Sequence, residues 1–255
     1  MKELTNNLKK LAASLKNKKA REENNLFIVE GVPLCNELLG SDYRTEFVIV
    51  RSNPDDIIKQ LADEFQKQNT EVYIARSRQF EQLATTDSPQ GIIAVARIKE
   101  GSRPVNGNFI ALDGISDPGN LGTIVRTADW FGFRTILVGG YSVDKYNPKV
   151  VRSTMGSIFR CEIIYCPCLR QYIKEYYEDY EIFGAALNAK VKMEECKPSG
   201  KFGIVLGNEA HGISPETMEI LTVPYLITGR GKAESLNVAV AAGISMYHFS
   251  VYNMV

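Results

Sequence analysis

Residues 109–133 read FIALDGISDPGNLGTIVRTADWFGF, and this stretch decides the fold class. Its first seven residues, FIALDGI, form a short apolar run of the kind that makes a strand buried on both faces. A turn follows at Pro118, Gly119 and Asn120, and residues 121–131 then carry apolar side chains at helical spacing. Strand, turn and helix in this order open a parallel-sheet unit, because parallel neighbours require a crossover and a helix is the usual one.

The alternation continues downstream. RTILVGG (134–140), CEIIY (161–165), EIFGAAL (181–187) and FGIVLG (202–207) read as strands, with helices expected to start at 148–157 and to run over 170–180. Upstream, a basic helix precedes apolar runs at LFIVEG (26–31), EFVIV (46–50), EVYIA (71–75) and GIIAVA (91–96), with helical periodicity at 34–39, 57–65 and 80–83 between them. The expected fold is therefore α/β: a C-terminal domain built on a mostly parallel sheet, preceded by a smaller α/β domain. The Gly-, Pro- and polar-rich stretch IKEGSRPVNGN (98–108) separates the two. This places a first domain at 1–100, a linker at 101–106 and a second domain at 107–255, a size that two cores can fill.

Composition excludes more than it selects. With 44% hydrophobic and 24% charged residues the chain is neither disordered nor fibrous. The longest nearly uncharged apolar run, around 237–246, is far short of the roughly 20 residues that cross a bilayer. No membrane is expected, and a basic, polar N-terminus without an apolar segment behind it does not read as a secretion signal, so the expected location is cytoplasmic. Five cysteines, Cys35, Cys161, Cys166, Cys168 and Cys196, lack the paired short spacings of a disulfide scaffold or zinc ribbon, so reduced strand thiols and no metal site are expected.

A net charge of zero argues against indiscriminate coating of nucleic acid. Local charge is less even. Seven basic residues (Lys2, Lys9, Lys10, Lys16, Lys18, Lys19, Arg21) and one acid, Glu3, lie within the first 21 residues. Lys145, Lys149, Arg152 and Arg160 form a second cluster without an acid. Each is equally readable as a solvated helix face, so together they permit RNA without requiring it. Tyr172, Tyr176 and Tyr180 fall four apart on one face of the 170–180 helix, where packing explains them better than base stacking. The last element, ESLNVAVAAGISMYHFSVYN (234–253), begins with a Ser235 cap and is apolar nearly all round, as expected of a helix buried on several sides, one of them against another subunit.

Three loops after strands concentrate glycine, amide and charged groups: 113–133, IVLGNEAHGIS (204–214) and LITGRGKAESLNVAV (226–240). Ligands of parallel sheets sit outside the carboxyl ends of the strands, so one shared pocket is expected. Neither GxGxxG nor GxxxxGK[ST] occurs, which points to a ligand without phosphate. Gly207 and Gly212 suit close backbone approach to a flat ring, or simply serve turns.

Taken in order, these loops resemble the SpoU branch of the knotted SPOUT RNA methyltransferases, also called the TrmH family. Asn120 and Arg126, with Gly122 and Ala128, look like its first motif; Gly207, Asn208 and Glu209 like its second; Ser235, Leu236 and Asn237 like its third. The resemblance covers 107–255, while residues 1–100 are similar to the ribosomal-protein-like RNA-binding domain that precedes the catalytic domain in many members. It implies a deep trefoil knot in the C-terminal part of the sheet, a homodimer, and S-adenosylmethionine as methyl donor to an RNA ribose 2′-hydroxyl. By position, Gly207, Ile227 and Leu236 would hold the cofactor through backbone atoms, and Asn120, Arg126, Glu209, Ser235 and Asn237 would form the reacting site. Many relatives have Pro-Met where this chain has Thr228-Gly229, so the resemblance does not fix the adenosyl pocket there. The implied substrate is 23S ribosomal RNA, with transfer RNA second; a non-catalytic RNA-binding protein on the same fold and an enzyme methylating a base nitrogen are the competing readings.

Overall fold

The computed structural model describes residues 1–99 and 106–252. The expected linker at 101–106 falls outside these except for Asn106. Two compact units emerge, one from Met1–Glu100 with Asp144–Phe159, the other from Gly101–Val143 with Arg160–Val255.

In the first unit, β1 (Lys2–Glu3), α1 (Asn6–Ser14), α2 (Lys18–Asn24), β2 (Leu26–Glu30), α3 (Val32–Leu39), β3 (Thr45–Arg51), α4 (Asp56–Lys67), β4 (Glu71–Ala75), α5 (Ser77–Leu83) and β5 (Ile92–Arg97) follow one another. The sheet order is β1-β4-β3-β5-β2, with β5 antiparallel to both its neighbours. One face buries Ile28, Ile49 and Val95 together with Phe80 of α5, against Leu8 and Leu11 of α1. The helix at 148–157 belongs to this unit, although it follows the first strand and helix of the second in sequence.

The second unit begins with β6 (Phe109–Asp113), α6 (Pro118–Trp130) and β7 (Thr135–Gly139); the chain then makes α7 (Pro148–Ser153) within the first unit before returning through β8 (Glu162–Cys166), α8 (Leu169–Tyr176), β9 (Glu181–Ala185), β10 (Val191–Lys192), β11 (Phe202–Gly207), α9 (Pro215–Met218), β12 (Val223–Leu226) and α10 (Val238–Ser250). The sheet order is β10-β12-β9-β11-β6-β7-β8, and every neighbouring pair is parallel. The parallel α/β sheet expected from residues 109–133 is therefore present. Beside β6 the strand order reverses: β7 and β8 lie on one side, while β11, β9, β12 and β10 lie on the other. Crevices at such switch points, outside the carboxyl ends, are where parallel sheets bind ligands.

Several local expectations change. The helix expected at 148–157 stops at Ser153, because Met155 (φ 50°) and Gly156 (φ 95°) adopt left-handed backbone. The helix expected at 170–180 stops at Tyr176, and Tyr177 turns inward to stack on Phe109 with ring centroids 4.4 Å apart. Tyr180 thus lies beyond the helix and Tyr176 is exposed; Tyr172 and Tyr180 do pack beside the core. The cap of α10 is Asn237 and not Ser235, since the Asn237 side chain accepts from the Ala239 and Val240 amides. Among the described residues no helix is long and apolar enough to cross a membrane. All five cysteines are free thiols, and burial pushes those of Cys35, Cys161 and Cys166 up to about 12.

The segment Asp144–Phe159 is held in the first unit by a buried ion pair. Arg21 donates to Asp144 at 2.6 and 3.0 Å and to the Leu15 and Lys16 carbonyls at 2.9 and 3.0 Å. The Arg21 side chain is only 3% exposed. Tyr146 stacks on Phe27 of β2 at 4.5 Å. Removing one partner of such a pair leaves a buried charge uncompensated. We expect Arg21→Ala to cost about 3–5 kcal/mol in urea unfolding; a loss below about 1 kcal/mol, the level of an exposed pair, would show that the pair does not anchor the segment.

Candidate functional site

The loops after β6, β11 and β12 all leave the same edge of the second unit's sheet. Asp117 caps α6: its carboxylate accepts from the Asn120 amide at 2.8 Å, and Pro118 occupies the first turn, where no N–H is missed. This cap fixes Asn120 within the first turn of α6. Asn120 Nδ2 donates to Glu209 Oε1 at 2.7 Å, and its Oδ1 accepts from Asn237 Nδ2 at 3.1 Å. One residue from each loop is thereby joined.

The orientation of this chain of bonds follows from α10. Asn237 Oδ1 must face the helix's first N–H groups, at 2.9 Å from Ala239 and 3.4 Å from Val240. Its NH₂ is then the donor toward Asn120, which leaves Asn120 Nδ2 as the donor toward Glu209. The helix cap thus sets how the Glu209 carboxylate is held.

The second loop is built on itself. Asn208 and Gly212 exchange backbone bonds of 2.9 Å, and Asn208 Oδ1 accepts from the Ala210 and His211 amides. Asn208 Nδ2 donates to the Gly114 carbonyl at 2.7 Å, and Asp113 accepts from the Ser214 amide at 2.8 Å, stitching the loop to the end of β6. A Cβ on Gly207 would lie 2.1 Å from the Gly212 carbonyl carbon and 2.2 Å from the Ile213 nitrogen. Only glycine fits there, and the chain's own backbone fills the space. Gly212 (φ 71°) is needed for its conformation. Asp117 and Asp113 were not among the candidates read from sequence; the Asp-Pro pair at 117–118 was the available cap signal for the first.

The remaining candidates stand apart. Arg126 lies on α6 six residues beyond Asn120, about 120° around the helix from it. It is exposed and makes no hydrogen bond or ion pair among the described residues. Ser235 is exposed and likewise unbonded among them, Leu236 is half-exposed, and Ile227 is partly buried just after β12. Residues 228–236 engage in no backbone–backbone hydrogen bond among the described residues, so their N–H and C=O groups are available to a ligand.

Much of the basic N-terminal cluster is engaged internally. Lys16 donates to the Gln82 and Ala84 carbonyls at the end of α5, at 2.9 and 2.7 Å. Lys2 pairs with Glu71, and Arg21 is buried. Lys18 and Lys19 sit 3.7 Å from Glu22 and Glu23. Of the second cluster, Arg152 reaches Thr85 at 3.3 Å and Arg160 pairs with Asp129 at 2.9 Å. In the first unit, Lys9 and Lys10 of α1, Arg51 at the end of β3, and Arg76 and Arg78 just past the end of parallel β4 have neither a carboxylate nor a carbonyl partner for their side chains among the described residues.

Residues 107–247 match the model of the SpoU rRNA Methylase family, and residues 6–94 match that of the MRM3-like substrate binding domain. The chain is 31% identical over 242 residues, 92% of each protein, to the 23S rRNA (guanosine(2553)-2′-O)-methyltransferase RlmP of Bacillus subtilis. It superposes on a TrmH-family structure from Porphyromonas gingivalis with a TM-score of 0.86 at 31% identity, covering 96% of this chain and 98% of the other. With an AdoMet-bound rRNA methyltransferase from Sinorhizobium meliloti the TM-score is 0.87 at 25% identity, covering 100% and 98%.

The double duty of Asn237 gives a prediction. Asn237→Ala should lower stability by about 1 kcal/mol in thermal unfolding, the worth of an N-cap. Asn237→Ser should restore most of that, because a serine also caps. Equal losses in the two variants would show that capping is not what Asn237 contributes.

Proposed function

The chain belongs to the SpoU rRNA methylase family, and from that premise we propose that it transfers a methyl group from S-adenosylmethionine to a ribose 2′-hydroxyl of 23S ribosomal RNA. The observation that carries this reading is the joining of Asn120, Glu209 and Asn237 by hydrogen bonds at one end of a parallel sheet. It is supported by the reaction for which the Bacillus subtilis relative is named and by the AdoMet-bound Sinorhizobium meliloti neighbour.

When bound, S-adenosylmethionine supplies an electrophilic methyl group on a sulfonium. The residues present fit it: free main-chain groups at 228–236 suit an adenine, with Ile227 and Leu236 offering apolar side chains at the two ends of that loop. Gly207, Ile227 and Leu236 would hold it through backbone atoms. Glu209 carries charge that favours a sulfonium more before transfer than during it, so its carboxylate orients groups and does not drive the reaction. Ser235 and Asn237 close the site from the third loop.

The ribose hydroxyl has to lose a proton. Arginine stays protonated to a pKa above about 12, which makes it a poor base and a good phosphate clamp. Arg126, without an internal partner among the described residues, grips an adjacent RNA phosphate and lowers the hydroxyl's pKa by its charge, and the proton leaves to water as the methyl group is transferred. We expect Arg126→Ala to abolish methyl transfer to unmodified 23S rRNA, read as alkali-resistant ribose linkages, while calorimetry shows S-adenosylmethionine affinity within about twofold of wild type. A large loss of cofactor affinity would overturn the assignment.

The deep trefoil knot and the homodimer belong to the same reading. Val240, Tyr247 and Val251 form an exposed apolar stripe on and just beyond α10, which packs on α6, and α6 itself ends in the exposed Trp130. A second copy is the occupant proposed for this face.

RNA recruitment falls to the first unit. Arg51, Arg76 and Arg78 cluster where β3 and β4 end and, unlike Lys16, Lys18 and Lys19, have no carboxylate or carbonyl partner among the described residues; Lys9 and Lys10 of α1 are equally unengaged, but no arginine stands beside them on that helix. Asp55 and Asp56 nearby are engaged, by the α4 cap and Lys59, and Asp87 lies in the loop before β5. Replacing the three arginines with glutamine should reduce the slope of log affinity against log salt by about two to three, at 0.7–0.9 per contact. Substituting Lys18 and Lys19 alone should change it by less than one. The opposite ranking would move the RNA face to the helices.

A further inference from the structure

Tyr141 is fully exposed, and it does so at a conformational cost. It follows Gly139 and Gly140 at the end of β7 and holds a left-handed backbone, φ 65°, which a bulky side chain rarely adopts. Its ring makes no hydrogen bond or ring contact among the described residues. Neither burial nor bonding among the described residues compensates for the strain.

The loop that carries it is nevertheless pinned. Ser142 Oγ accepts from the Ile115 amide at 3.1 Å, the Val143 amide donates to the Ile115 carbonyl at 2.9 Å, and the Tyr165 hydroxyl donates to the Val143 carbonyl. Ile115 adjoins Gly114, whose carbonyl holds Asn208, and leads directly to the Asp117 cap that fixes Asn120. The tyrosine is therefore held outward by bonds to the same segment that organises the reacting site, on the edge from which substrate must arrive. Strained residues that the surroundings over-determine concentrate at functional sites.

Resting on the proposed reaction, we propose that Tyr141 is a substrate-positioning residue on which a nucleobase of the RNA stacks while the adjoining ribose is presented. Sequence-specific RNA recognition falls mostly on locally unpaired segments, and their unstacked bases are taken up on exposed aromatic rings. The ring supplies a flat apolar face, and the hydroxyl is not required. A second copy of the chain packing on the ring is the competing occupant, which the test separates.

The experiment uses the full chain, S-adenosylmethionine and unmodified 23S rRNA transcribed in vitro. Tyr141→Ala should weaken RNA binding, and raise KM for RNA, by about tenfold or more, with kcat at saturating RNA and cofactor affinity within about twofold of wild type. Tyr141→Phe and Tyr141→Trp should keep wild-type values. Tyr141→Gly relieves the backbone and should melt at or above the wild-type Tm while binding RNA as weakly as the alanine variant, so that stability and affinity move apart. Wild-type RNA affinity in the alanine and glycine variants would overturn the proposal, as would a loss that tracks dissociation of a dimer in sedimentation. If the wild-type chain binds the transcript but yields no methylated ribose, the reaction fails as a reading, and the affinity ratio between wild type and variants still decides the stacking role. A wild-type chain that neither binds nor methylates the transcript removes both.

Discussion

A single carboxamide can bond to Glu209 and Asn237 at once only if loops 89 and 117 residues away in sequence are delivered level with it. Parallel pairing supplies that alignment. Asp113 sits opposite Gly207 across the β6–β11 ladder, so the loops that follow depart from the same height. A slip of one residue would turn every side chain of a strand to the other face and break the alignment together with the core. The rigidity of the site is thus a property of the sheet, and the loops need only short internal bonds to finish it.

Those internal bonds make polar residues structural and functional at once. Asn237 starts a helix and aims Asn120; Asp117 starts another and fixes the same residue from below. Gly207 is forced by the chain's own backbone, so its identity is explained before any cofactor is considered. Arg126 and Ser235 are the exceptions, since no protein group competes for the guanidinium or the hydroxyl among the described residues.

The strand–helix alternation was legible because each apolar run is short, continuous and bounded by glycine, proline or polar turns, and the three loops were legible because they follow such runs. Choices between neighbours in sequence were not. Ser235 and Asn237 are both good caps, and only the path of the chain decides between them. Tyr177 was hidden behind a regular tyrosine spacing, because burial against Phe109 outweighed helical continuity. The basic cluster at the N-terminus stayed ambiguous for a related reason: a lysine looks the same in sequence whether it faces solvent or, like Lys16, closes the end of a helix 66 residues away.

The ion pair between Arg21 and Asp144 joins residues 123 positions apart, with all of β6, α6 and β7 between them in sequence. During synthesis the first hundred residues therefore emerge without the segment that completes their packing. They must wait, with Arg21 unpaired and Phe27 uncovered by Tyr146, until the ribosome has passed Phe159. By then β6, α6 and β7 are already outside, so the two units mature in interleaved order and not one after the other. A chain released before that point would leave Arg21 with only the Leu15 and Lys16 carbonyls to bond it and no carboxylate to balance its charge.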